Sequence, residues 1–306
     1  MFSFLVPYNV TVSGEGGNSL KEVCFEYKQE ALSFCESILD VQEDITIQWN
    51  HQRKSGYIVN IESGNTSAIS VNKWLVHGLI HVFTLHREQS WIQDIIRNCY
   101  YYNDEDEVAH IFELCQSFLE DNTEQRMVPL HGLSHGQHTK LLYRVFENAL
   151  NEGDNLHFDS VVTFRFQYYR EELIDFVGYA IDEYKREEEY QTYVQQLREY
   201  VGTKQSKIDH LIIVQKNASF LFFNSSGKPI SNAIIKNLAQ QEPLYLFGLG
   251  REELNLTPIM ALAPQQISFY GDDVTDPKTL TVMNVFQERM DMYPLNKFPF
   301  KRLSSS

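Results

Sequence analysis

Three histidines fall close together in the run His131-Gly-Leu-Ser-His135-Gly-Gln-His138. On a helix, spacings of i, i+4 and i+7 align such rings, and a carboxylate from elsewhere would complete the ligands of a metal-dependent enzyme. Gly132 and Gly136 weaken a helix there, and no cysteine nearby completes a tetrahedral set. The residues therefore favour an exposed polar loop, and no metal is expected. His77 and His81 also stand four apart, in an apolar helical stretch, but Gly78 occupies the place where H-E-x-x-H carries its general base. That pair is expected at the edge of a helical core. Gly14, Gly16 and Gly17 invite a dinucleotide-binding reading, yet Ser19 replaces the third glycine, and Gly248 and Gly250 fail the same test at Glu253. A flexible turn capped by Asn18 or Ser19 is the simpler expectation. Neither G-x-x-x-x-G-K-[ST] nor G-x-S-x-G occurs, so no phosphate loop or nucleophile elbow is encoded, and no cofactor is expected.

Polar residues are densest around a long helical stretch, 169–202. Arg165, Tyr168, Tyr169, Arg170, Glu171 and Glu172 open it, and Asp182, Glu183, Tyr184, Lys185, Arg186 and Glu187 lead on to Tyr190. Glu172, Asp175, Tyr179, Asp182 and Arg186 follow at helical spacing, the last two as an i, i+4 pair. Catalysis by these carboxylates would need a fixed nucleophile or a displaced pKa, which the spacing does not supply. A solvated face or a partner-binding face remains. The apolar stripe Leu173, Phe176, Val177, Ala180, Ile181, Tyr184 is interrupted by Glu187, Glu188 and Glu189 before Tyr190, Val194, Leu197 and Val201 resume it. At the interruption the helix bends, leaves the core or meets a partner. The residues assigned to such a partner are Arg165, Tyr169, Glu172, Asp182, Glu183, Tyr184, Arg186, Glu187 and Tyr190.

The elements that position these residues form an α+β chain. With 306 residues it is long for one core, and several modules are expected. Residues 1–65 read as a small α/β unit: a strand at 1–12, a helix at 19–39, and a hairpin of strands at 45–49 and 57–61. Residues 66–205 read as a helical domain, with pauses at 100–107 and 127–138. Residues 206–306 read as a C-terminal α/β segment, with strands at 208–214, 219–223 and 267–271 and helices near 231–241, 252–261 and 277–289.

Composition narrows the partners. Forty-one acidic against 26 basic residues give a net charge of −15, which repels a phosphate backbone, and the short basic run at 297–302 is broken by Pro299. Nucleic acid is not expected. No apolar stretch approaches the roughly 18 residues of a membrane span. Residues 1–12 lack a positive leader and contain Pro7, so neither export nor organelle import is expected and a cytoplasmic location is. Four cysteines without C-x-x-C spacing read as small thiols in a reducing compartment, with Cys24 and Cys35 placed on one helix too far apart to bridge.

The segment 164–230 resembles the YtxC-like sporulation proteins of endospore-forming Firmicutes. It does so through Phe164-Arg165-Phe166, Tyr169, Glu172-Leu173, Ala180, Asp182-Glu183-Tyr184, Glu189-Tyr190, Tyr200-Val201, Gln205 and Gly227-Lys-Pro-Ile230. Ile95-Ile96 with Tyr100 and Tyr102, Glu105-Asp106-Glu107, and Ala263-Pro264 before Ile267 extend the likeness over most of the chain. The resemblance implies a cytoplasmic protein tied to sporulation and brings no catalytic residue or cofactor with it. Three functions stay open: a protein-binding or scaffold role through the acidic, tyrosine-rich helix; an enzyme built on His131, His135 and His138; and a metabolite sensor between the N-terminal unit and the helices.

Overall fold

The computed structural model describes residues 20–40, 45–52, 56–63, 68–120, 135–153, 155–216, 219–249 and 255–300. The strand expected at 1–12, the glycine turn before Ser19, and His131 lie outside the described residues.

The chain is α+β, with two separate mixed sheets of four strands. The first begins with β1 (Leu20–Phe25), followed by α1 (Lys28–Leu39), β2 (Ile45–Gln52) and β3 (Gly56–Ser63). β2 and β3 form the expected antiparallel hairpin, with Trp49 opposite Val59. β1 pairs antiparallel with the other edge of β3, with Val23 opposite Val59. The single helix read over 19–39 is therefore two elements. Val23, Cys24 and Phe25 are all buried, and Ala31, Phe34 and Ile38 carry the apolar pattern on at helical spacing. No glycine or proline separates the two segments, so the periodicity merges what Glu26 and Tyr27 divide.

Helix α2 (Ala68–Phe83) runs through a π-turn, Thr84–Glu88, into α3 (Gln89–Asp94) and then a second π-turn, Ile95–Cys99. Such wide turns are rare and local. After a pause at Tyr100 to Asp104 come α4 (Glu105–Glu120) and α5 (His135–Asn151). The helical middle is interrupted by β4 (Asn155–His157), which pairs parallel with β1 and places Leu156 opposite Val23. α6 (Phe158–Arg165) and the 37-residue α7 (Gln167–Thr203) follow.

Beyond α7, β5 (His210–Lys216) and β6 (Ser219–Asn224) form an antiparallel pair. α8 (Asn232–Gln240) and α9 (Leu256–Leu262) precede β7 (Gln266–Tyr270), which lies parallel to β5. α10 (Pro277–Phe286) starts with an N-cap: the Asp276 carboxylate accepts from the Thr279 N–H at 2.9 Å, and Pro277 fills the first helical position. The chain then forms β8 (Met290–Tyr293), parallel to β7 and not expected from sequence. No helix among the described residues is long and apolar enough to cross a membrane.

Contacts divide the chain after Tyr184 into two compact units, each with its own hydrophobic core. The first core gathers the buried faces of α2, α5 and the start of α7 around Phe83, whose ring meets Trp91, Phe146, Phe166 and Tyr169. Gly178 lets α7 approach closely there. A Cβ at that position would stand 2.6 Å from the Tyr100 hydroxyl, which donates to the Ile174 carbonyl at 2.9 Å. The second core holds Ile213, Ile259, Ile267 and Phe269 with the last turns of α7.

Candidate functional site

Alternation of buried and exposed positions places each residue of α7. Leu173, Phe176, Val177, Ala180, Ile181 and Tyr184 enter the first core, and Val194, Leu197 and Val201 enter the second. Between them Lys185, Arg186, Glu188 and Glu189 are exposed and Glu187 is half-buried. The interruption read from the sequence is the stretch where the helix serves neither core.

The nine residues assigned to a partner do not share one surface. Tyr169 and Tyr184 face the first core, at 1% and 8% exposure. Tyr184 reaches Glu107 Oε1 at 3.4 Å. Arg165 pairs with Glu152, donating to Oε1 at 2.9 Å. Glu172 is half-buried and takes a hydrogen bond from Tyr168, which with its charge raises that phenol. Tyr190 is half-buried and accepts from Asn284 Nδ2 at 3.0 Å. Asp182 and Arg186 are exposed, with Glu183 and Glu187 half-buried beside them. Four of the nine, Asp182, Glu183, Arg186 and Glu187, thus cluster where the stripe breaks.

A second constellation lies in the first π-turn and was not legible as such. The turn sends three consecutive side chains to α1, α5, α6 and α7. His86 Nε2 lies 2.9 Å from Ser33 Oγ on α1. Arg87 donates through Nε to Glu30 Oε1 at 2.5 Å and through Nη2 to Asp159 Oδ1, while Asp159 Oδ2 accepts from the Glu26 N–H at 2.9 Å. Its guanidinium also lies over the Tyr27 ring, 5.0 Å from the centroid. Glu88 turns inward, accepting from the Tyr169 hydroxyl and lying 2.6 Å from His138 Nε2, which is also 2.6 Å from Tyr169 Oη. With the phenol proton given to Glu88, the arrangement that leaves fewest atoms unsatisfied puts a proton on Nε2. Glu88, His138 and Tyr169 are 4%, 6% and 1% exposed. Polar groups so deep are tolerated only when hydrogen-bonded, and these three satisfy one another while tying the π-turn to α5 and α7.

Electrostatics separate the two sides of the turn. Burial drives the Glu30 carboxyl above its ordinary range against the pull of Arg87. Burial opposes the Arg87 charge, but Glu30 and Asp159 more than restore it and hold its pKa above the usual arginine value. Burial, then the neighbouring His81 and Arg87, lowers His86 and favours its neutral ring.

The histidine run does not assemble as a ligand set in what is described. His135 begins α5, and His138 Nε2 is engaged by Glu88 and Tyr169. Among the described residues no group of three or more His, Cys, Asp or Glu side chains is arranged to hold a metal. His77 and His81 are exposed on α2, and the His77 ring meets the edge of Tyr143 at 5.9 Å. Gly248, at φ 71°, closes a short 3-10 turn, Leu244–Phe247. His138 was visible as a polar oddity in sequence, but its partners lie 50 and 31 residues away. No local signal connects them.

No solved structure matches this chain. The uncharacterized protein YtxC of Bacillus subtilis (strain 168) is 28% identical over 282 residues, covering 90% of this chain and 95% of its own. The YtxC-like family model matches residues 73–291, from within α2 to β8, and the chain belongs to that family.

Proposed function

We propose that this chain is a protein-binding protein of sporulation, and that the acidic turn of α7 around Asp182 to Glu189 engages its partner. One observation carries the reading. In a helix whose apolar stripe is otherwise used by two cores, the break is filled by Arg186, Glu187, Glu188 and Glu189, of which three are exposed. A net charge of −15 adds long-range attraction for a basic partner surface, which raises association rates more than affinity. Kinship with the YtxC-like proteins motivates the sporulation setting, and no cofactor or catalytic group is invoked.

Replacing Glu187, Glu188 and Glu189 together by lysine tests the site. Surface substitutions of this kind shift stability by about 0.5 kcal/mol or less each, so the circular dichroism spectrum and melting temperature stay near those of the parent. Capture of the basic partner from sporulating cells, and crosslinks from residues 182–190 to it, are expected to disappear. Capture at parental level by the triple lysine variant would remove this surface from the reading.

A further inference from the structure

Beside the same π-turn lies an open cleft of about 390 Å3, lined by Tyr27, Glu30, His86, Arg87, Ser90 and Trp91. That volume is at the small end of ligand sites, about 300–1,000 Å3. Its distinguishing group is Glu30. The residue is 2% exposed, and its Oε1 is taken by Arg87, but its buried Oε2 meets no hydrogen-bond donor among the described residues. Glu30 stands three residues after the Tyr27 N-cap, where a glutamate can turn back onto the cap N–H. The Tyr27 N–H does favour its charged form, yet no hydrogen bond of acceptable geometry reaches Oε2. Buried acceptors in native proteins are nearly always satisfied, so an orphan beside a cleft points to what the cleft takes.

Charge decides the class. Ionised, Glu30 and Asp159 face one cation, Arg87, so with His86 neutral the cluster holds one negative charge in excess; burial opposes that charge on Glu30, and a second cation beside it would restore it. Arg170 lies over Trp91 at 5.9 Å but is paired with Asp94 at 3.0 Å and leaves that balance unchanged. Tyr27 and Trp91, which already carry the Arg87 and Arg170 guanidiniums over their rings, supply apolar ring surface that suits the carbon body of an organic cation. We infer that this cleft binds a small organic ammonium, its N–H groups donating to Glu30 Oε2 and its apolar portion lying against Tyr27 and Trp91. A free amine and the ammonium of a basic side chain share this chemistry. The assignment stands apart from the α7 reading, because variants of the cleft leave the carboxylates of residues 182–189 in place.

The test compares benzylamine with its neutral counterpart benzyl alcohol on the full chain, by calorimetry and thermal shift at constant ionic strength. Benzylamine is expected to bind at least about tenfold more tightly than the alcohol and to raise the melting temperature with concentration. Glu30→Gln should bring the two ligands level. Because that variant also touches the Arg87 pair, Ser90→Trp provides the second arm: Ser90 is exposed, so a ring there fills the cleft mouth without entering the core, and both ligands are expected to be lost. Equal or absent binding of amine and alcohol by the parent overturns the inference. So does amine binding that survives Ser90→Trp, which would be screening of the chain's net charge of −15. If the site holds, tenfold weaker capture by Ser90→Trp of a peptide ending in lysine, against one ending in norleucine, identifies a basic side chain as its occupant; equal capture identifies a free amine.

Discussion

Thiol reactivity at single residues follows from burial. Cys24 and Cys35, expected on one helix, sit instead on β1 and α1, and all four cysteines are free. Burial, with the charge of Glu22, pushes the Cys24 thiol up to about 11; burial, with Glu36, raises Cys35 to about 11, and burial alone carries Cys115 to about 12. Thiol reagents attack the thiolate, so these three are expected to be slow at neutral pH, while the exposed Cys99 reacts quickly. Titration of the native chain with a disulfide reagent should show one fast thiol, absent in Cys99→Ser, and three more only after denaturation. The buried triangle makes a second expectation. Tyr169→Phe removes one donor from Glu88 and should cost about 1–3 kcal/mol, whereas Glu88→Ala strands both His138 and Tyr169 and should cost about 3–5 kcal/mol. Urea midpoints at unchanged slope measure both. If Glu88→Ala proves the milder change, the triangle is not what holds the π-turn to α5 and α7.

Between elements, the clearest electrostatic tie joins the end of α7 to the end of α8. Glu242 accepts from Tyr200 at 2.6 Å and from Lys207 at 2.8 Å, and also from Lys204. Burial by itself would raise this carboxyl, but the hydrogen bonds from Lys204, Lys207 and Tyr200 outweigh it and bring the pKa down to about 2. A depressed carboxyl stabilises the fold above its unfolded value of 4.5, and the contribution is lost as pH falls from there through about 2. Glu242→Gln should therefore cost about 1–2 kcal/mol at neutral pH, the lysines being about a third exposed and partly screened, and nothing below pH 2. Parallel acid titrations of stability check the convergence. Elements with strong local signals were legible: α7 ends within two residues of its expected bounds, and the β2–β3 hairpin and the β5 and β7 strands follow from their apolar runs. What escaped was set by distant pairing. β1 reads as helix because its buried run flows into α1 without a breaker, and β4 is three residues long and exists through β1, more than a hundred residues earlier. β8 is likewise defined by β7. The candidate site divides the same way: the break in the α7 stripe is a periodicity and could be read, while the fan of His86, Arg87 and Glu88 depends on a π-turn whose partners come from α1, α5, α6 and α7.

Over the whole molecule, two separate hydrophobic cores with one helix contributing to both set up a test of cooperativity. The chain's three tryptophans, Trp49, Trp74 and Trp91, all belong to the unit that ends at Tyr184. Trp74 and Trp91 pack against its core, next to Phe83 in the case of Trp91, whereas Trp49 is 47% exposed on β2. Tryptophan fluorescence thus follows the first core alone, while far-ultraviolet circular dichroism follows helices and strands of both. Chains with more than one core commonly depart from two-state unfolding, and non-coincident probes are the signature. Ile213, fully buried in the centre of the second sheet, offers a selective lesion: truncation to alanine should cost about 2–5 kcal/mol through lost burial and the cavity left behind. With cores that unfold independently, Ile213→Ala lowers the urea midpoint of part of the dichroism signal and leaves the fluorescence midpoint where it was. Phe83→Ala should do the reverse. Equal movement of both probes in both variants would mean that α7 couples the cores into one cooperative unit, and a partner gripping the helix at residues 182–189 would then stabilise the two together.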